Sequence, residues 1–250
     1  MTTLHHHRTG LATRGVASKR PANAEIAAWA GLQVVLLGVL ECSVGLGAAG
    51  WLLGIAYAVA NQALLGGAVQ RSARGALGPA DRVTSARGLL VGGVTALVAD
   101  GGATAVIVPL AAVALALDFV DGRVARRTGT ASAMGARFDM EVDAFLILVL
   151  SAHVALSLGP WVLVVGVLRY AFVVASWGFD RLTGALPPSY ARKVVAAVQG
   201  IALVVAASGL VPHVGVLVGL ALASLLWSFG RDVVWLCRNA PAPAEGMGDV

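Results

Sequence analysis

The feature that most constrains this chain is a succession of apolar runs, too long and too numerous for a soluble core. Ala27–Val44 and Leu46–Val69 are parted by little more than Gly45, and Leu89–Val98, Ala103–Leu117, Ala144–Leu158 and Trp161–Trp177 follow. A further run opens at Arg192 and Lys193 and continues through Gln199, and the last spans Val214–Trp235. A helix needs about 20 apolar residues to cross a bilayer, and lipid leaves a spanning backbone few ways other than a helix to satisfy its hydrogen bonds. With 58% hydrophobic and 12% charged residues among 250, the chain has too little polar surface for a soluble domain of its length. These runs predict an all-α, polytopic membrane protein with eight transmembrane helices.

Charge then orients it. The formal net charge is +5, which in a soluble protein would suggest nucleic acid. Here the basic residues sit in short segments between apolar runs, so anionic lipid and the positive-inside rule account for them, and nucleic acid is not an expected partner. With a cytoplasmic amino terminus, every Lys or Arg except Arg169 falls on the cytoplasmic side or at its edge, and the far-side turns carry none. Two cysteines, Cys42 and Cys237, form no disulfide framework. Residues 1–24, with His5 to His7, read as a disordered cytoplasmic tail without a cleavable signal, and residues 239–250 as a second disordered tail.

One stretch breaks the apolar pattern. Between Asp118 and Asp143 the chain reads DFVDGRVARRTGTASAMGARFDMEVD. Asp118 and Asp121 are three residues apart, and Asp139 and Asp143 four apart. On helices both spacings place the pair on one face. Apolar runs on either side put the two pairs on consecutive helices joined by a short turn, so four carboxylates converge near a membrane surface. Four such anions repel one another unless cations compensate. With oxygen ligands and no nearby His or Cys, the expected cation is Mg²⁺ or Mn²⁺ rather than Zn²⁺, and its ligand a phosphate ester or pyrophosphate. Gly122 lacks a Cβ where a ligand would approach the backbone, Gly135 lies one turn before Asp139, and Arg126 offers a charged fork to phosphate oxygens. A merely solvated turn is disfavoured, because carboxylates at a membrane edge are costly and usually functional.

Asp118, Asp121, Gly122, Ala125, Arg126, Gly135, Asp139 and Asp143 match position for position the pattern D-x2-D-G-x2-A-R-x8-G-x3-D-x3-D. In this the chain resembles the CDP-alcohol phosphotransferase family, also called CDP-alcohol phosphatidyltransferases. The resemblance implies a six-helix membrane core, usually dimeric, that transfers a phosphoalcohol from a CDP-alcohol to an acceptor hydroxyl and releases CMP. It implies two Mg²⁺ or Mn²⁺ ions on the four aspartates, with Asp143 placed as base. Gly122, Ala125, Arg126 and Gly135, with Asp118, would meet the CDP moiety.

The resemblance extends to two further segments, and the setting of Arg169 singles out one more position. The segment ADRVTSAR at 80–87 is similar to the P-N-x-L-T-x-x-R opening of many members, with Thr84 and Arg87 in place and Ala80 and Asp81 replacing Pro and Asn. Thr84 is thus a candidate CDP contact, and Asp81 either that or a helix cap. Arg169, deep in an apolar run, would pair with the aspartates, attract an acceptor phosphate or form a structural ion pair. Arg192 and Lys193 open a helix as a lysine-rich motif does in phosphatidylglycerophosphate and cardiolipin synthase-like members, so they are acceptor-site candidates as well as ordinary cytoplasmic flanking charge.

The expected organisation is an amino-terminal transmembrane hairpin over 25–70 and a catalytic core over 71–238. The expected substrates are CDP-diacylglycerol and a small alcohol, in phospholipid biosynthesis at a bacterial inner membrane. A water-soluble CDP-alcohol donor with a lipid acceptor is the other arrangement of the same chemistry. A Mg²⁺ channel or transporter would instead distribute carboxylates through the depth of several helices.

Overall fold

The computed structural model describes residues 22–71, 77–128, 133–179, 184, 187 and 189–239. The side chains of 22, 23, 68–71, 119, 121, 123–128, 133 and 134 lie outside that description, as do both expected terminal tails, apart from residues 22–24 and 239. The described residues form eight α-helices and no strand: α1 (Ala22–Val44), α2 (Ala48–Arg71), α3 (Pro79–Ala99), α4 (Thr104–Thr128), α5 (Ala133–Leu158), α6 (Leu163–Gly178), α7 (Tyr190–Ser208) and α8 (Val214–Asn239), with one 3₁₀ turn at Pro160–Val162. The all-helical, multi-pass architecture expected from the apolar runs is what the chain adopts.

Six helices (α1, α2, α5, α6 with the turn before it, α7 and α8) are individually long and apolar enough to cross a membrane. At 1.5 Å per residue their spans of 19 to 26 residues reach roughly 28–39 Å, against a hydrocarbon core of about 30 Å. In α4 only Thr104–Asp118 is apolar, because the acidic and basic residues of the signature occupy its last turns. The first turns of α3 carry Asp81, Arg82 and Arg87.

The third helix runs through the middle of the assembly. Its unbroken buried run Val91–Leu97 covers every face of nearly two turns, which requires neighbours all round. Those are α1, α2, α4 and α5, while α7 packs on α4, α5 and α8. Outward-facing apolar residues such as Leu52, Leu156, Val216 and Leu220 are left exposed, as a lipid-facing surface requires.

The hairpin of α1 and α2 closes through Gly45, whose φ of 74° is a left-handed conformation costly for other residues. Glu41 completes the turn by accepting from Leu46 N–H and Trp51 Nε1–H, both at 3.0 Å. This gives Glu41 a structural place at the turn.

Candidate active site

Helix phase decides which side chains can meet. Residues 139 and 143 fall one above the other on α5, and α4 delivers Asp118 against them. One carboxylate oxygen from each of Asp118, Asp139 and Asp143 lies within 4.8 Å of the other two. The fourth expected ligand, Asp121, is on α4 one turn beyond Asp118; its side chain lies outside the described set, as do those of Ala125 and Arg126.

A residue from a third helix holds this group together. Arg87 of α3 is fully buried, and its Nη1 donates to Asp118 Oδ1 at 3.0 Å. Nη2 donates to Asp143 Oδ1 at 2.8 Å and to the Asp139 carbonyl oxygen at 3.2 Å. Asp139 Oδ1 is also only 2.6 Å from Nη2, but it lies off the N–H directions. It is therefore a charge contact, and among the described residues that buried carboxylate oxygen receives no directed hydrogen bond. One guanidinium thus faces three carboxylates whose side chains remain 31–37% exposed.

That arrangement fits divalent metal. The donor set is acceptor-only oxygen, which hard cations prefer. Among the described residues one guanidinium touches three carboxylates, and the buried Asp139 Oδ1 has a charge contact with it but no directed hydrogen bond. Carboxylates can also bridge a guanidinium and a cation through different oxygens. Asp118, Asp139 and Asp143 are the described residues that could hold such an ion.

The remaining expected residues are distributed around this centre. Gly122 and Gly135 are half-buried on the facing ends of α4 and α5. Asp81 accepts from Gly78 N–H at 2.8 Å, capping the start of α3; Gly78 has no side chain to reciprocate. Thr84, buried one turn before Arg87, donates through Oγ1 to Ala80 O at 3.3 Å. Arg169 is not in the aspartate group: its Nη2 donates to Glu141 Oε1 at 2.5 Å. Residue 141 lies about 200° around α5 from Asp139, so it looks towards α6 while the aspartates look towards α3 and α4. Arg192 meets Asp232 of α8 at 3.3 Å and also donates to the Pro187 carbonyl. Lys193 is exposed at the start of α7 and close enough for its charge to act on Asp118.

Sequence reasoning placed Arg87 in a motif but not among the site residues, and it passed over Glu141 and Asp232. Arg87 closes a polar stretch that also holds Asp81, Arg82, Thr84 and Ser85, so only its place in the motif singles it out. No comparable local signal marks Glu141 or Asp232, whose partners are 28 and 40 residues away.

The model of the family described as CDP-alcohol phosphatidyltransferase matches residues 79–227, from the first residue of α3 into α8 and more than half of the chain. No curated protein and no solved structure matches.

Proposed function

The chain belongs to the CDP-alcohol phosphatidyltransferase family, and on that premise we propose that it moves a phosphatidyl group from CDP-diacylglycerol to the hydroxyl of a small alcohol, releasing CMP. The observation that carries this reading is the convergence of Asp118, Asp139 and Asp143 on Arg87. Together with Asp121, the three aspartates would hold two Mg²⁺ or Mn²⁺ ions. Such ions, when bound, neutralise charge developing on the transferred phosphate and the departing CMP.

The chain's own residues supply the rest. Asp143 takes the proton of the acceptor hydroxyl as the new P–O bond forms, a general-base role. Arg87 fixes the orientation of the carboxylates, so that little reorganisation is needed when the substrate arrives. Gly122, Ala125 and Gly135 admit the nucleotide close to the helix backbones, Arg126 steadies its phosphates, and Thr84 borders the same end of α3. Asp81 serves mainly as the cap of α3.

The acceptor side is assigned to Lys193, whose exposed charge acts on Asp118 from the start of α7, with Arg169 and Arg192 held back by their carboxylate partners. We assign the cluster to the cytoplasmic face of a bacterial inner membrane on the asymmetry of Lys and Arg, and the working unit to a homodimer on family resemblance. A channel is disfavoured because Glu41 and Asp100 are engaged in backbone hydrogen bonds at the opposite end, which leaves no string of carboxylates through the bundle among the described residues.

Purified protein in detergent, given labelled CDP-diacylglycerol, Mg²⁺ or Mn²⁺ and a panel of glycerol 3-phosphate, inositol phosphate and serine, should release CMP with one acceptor and form the matching lipid. CMP release only from a water-soluble CDP-alcohol with a lipid acceptor would reverse the substrate assignment. Absence of metal-dependent CMP release from every donor would remove the transferase reading.

A further inference from the structure

The hairpin of α1 and α2 precedes the segment matched by the family, which begins at residue 79, yet it lies against the helix that carries Arg87. Contacts run the length of α3. At one end Arg82 Nε meets Glu25 Oε1 at 2.6 Å, and at the other Asp100 Oδ2 accepts from Gly47 N–H at 2.7 Å. Between them two buried amides press into α3 where it has no side chains. Asn61 of α2 sits on Gly88: a Cβ there would lie 3.0 Å from Asn61 Nδ2 and 3.2 Å from Oδ1. Gln33 of α1 sits on Gly92, where a Cβ would come within 2.5 Å of Nε2. The Tyr57 ring, one turn before Asn61, packs on Phe145 at 5.0 Å between centroids, two residues past Asp143.

Resting on the transferase reading, we propose that the hairpin is a working part of the site, with Asn61 a positioning residue for Arg87 and Gln33 its support one turn further along. A glycine next to the arginine lets α2 approach α3 closely, and the amide seated there fixes the rotation and depth of α3. Because Arg87 reaches carboxylates on both α4 and α5 at 2.6 to 3.0 Å, a shift of α3 by a few tenths of an ångström changes all of these contacts together. Polar side chains against glycine are an effective way to lock membrane helices, since lipid supplies no hydrophobic drive for their association.

The test moves one methyl group across this contact. In the full-length protein, Gly88→Ala should lower kcat for CMP release about tenfold, the scale seen when a group supporting metal ligands is disturbed. Asn61→Ala should lower it less. The double variant Gly88→Ala/Asn61→Ala, in which the added methyl occupies space vacated by the amide, should return to within about threefold of the unaltered protein.

In an Arg87→Lys background, where a single ammonium replaces the fork, Gly88→Ala should cost no further activity. Full activity of both single variants overturns the proposal. So does a Gly88→Ala loss that Asn61→Ala leaves unrelieved, or one that multiplies with Arg87→Lys. Should Gly88→Ala not fold, Asn61→Ala and its relief by Gly88→Ala carry the same decision.

If the unaltered protein releases no CMP at all, the transferase reading falls separately. The inference is then read on the gain in unfolding temperature with Mn²⁺. That gain should be larger for Gly88→Ala than for the unaltered protein and return to the unaltered value in the double variant; equal gains in all three overturn it.

Discussion

Replacing Arg87 by Met tests the electrostatic core of the site. The side chain is fully buried and makes its described polar contacts to Asp118, Asp139 and Asp143, so Met fills a similar volume and removes only the charge and its donors. Removing one partner of a fully buried ion pair typically costs about 3–5 kcal/mol. These carboxylates keep 31–37% of their surface exposed and draw partial compensation from solvent, which lowers the expectation to roughly 2–3 kcal/mol. For a chain of this size about 2–4 °C accompanies each kcal/mol, giving a fall of roughly 4–12 °C in unfolding temperature in the presence of a chelator. Titrating Mn²⁺ should then raise the variant's unfolding temperature by more than it raises the parent's, because the ion supplies positive charge that the variant has lost and binds only the folded cluster. Differential scanning fluorimetry in detergent, with EDTA and with Mn²⁺, reads both arms. Equal unfolding temperatures in EDTA would show that Arg87 does not hold the carboxylates together. A variant that gains no more from Mn²⁺ than the parent would show that the cluster does not exchange guanidinium for metal charge.

Other substitutions separate roles that the geometry assigns. Asp143→Asn should lower kcat for CMP release by about 10²-fold or more, while leaving the fold intact by size-exclusion chromatography; normal turnover removes Asp143 as base. Asp81→Ala should destabilise the protein by about 1 kcal/mol through loss of the bond from Gly78 N–H, with KM for the CDP-alcohol unchanged. A raised KM at unaltered stability would make Asp81 a nucleotide contact instead. Glu141→Gln and Arg169→Met should each destabilise, and the double variant should fall short of their sum by about 1 kcal/mol, as expected of one shared ion pair. Additive effects would show that the pair contributes nothing as a pair.

Asp118, Asp139 and Asp143, the three signature aspartates whose side chains are described, were legible in the sequence because their geometry is local. Spacings of three and four residues put side chains on one face of whatever helix forms, and the apolar flanks of Asp118 and Asp143 left little doubt that helices form there. Arg87 was half legible. It fills a motif position, but which anions it meets depends on α3 lying between α4 and α5, and no short-range pattern sets that packing. Arg169 was recognised as needing a partner, yet Glu141 could be picked out only by combining the phase of α5 with the placement of α6. The pairing of Arg192 with Asp232 is beyond local reasoning for the same cause, since it joins the start of α7 to the last turns of α8.

The hairpin shows what a closer reading of phase would have recovered. A helix that is apolar all round offers no amphipathic contrast to mark its inward face, so length and hydropathy predict that α1 and α2 span and say nothing about rotation. Small and polar residues carry that information instead, because lipid penalises an exposed amide and a small side chain admits a neighbouring helix. In α2 the buried positions Gly50, Gly54, Tyr57, Asn61 and Leu65 recur every three or four residues, a face marked out by its two glycines, phenol and amide. In α1, Gln33, Leu37 and Leu40 do the same. On α3 the matching register is Gly88 and Gly92, beginning at the residue after Arg87. Polar residues scattered through apolar runs thus define a single interior seam, and that seam ends at the guanidinium on which the carboxylates converge.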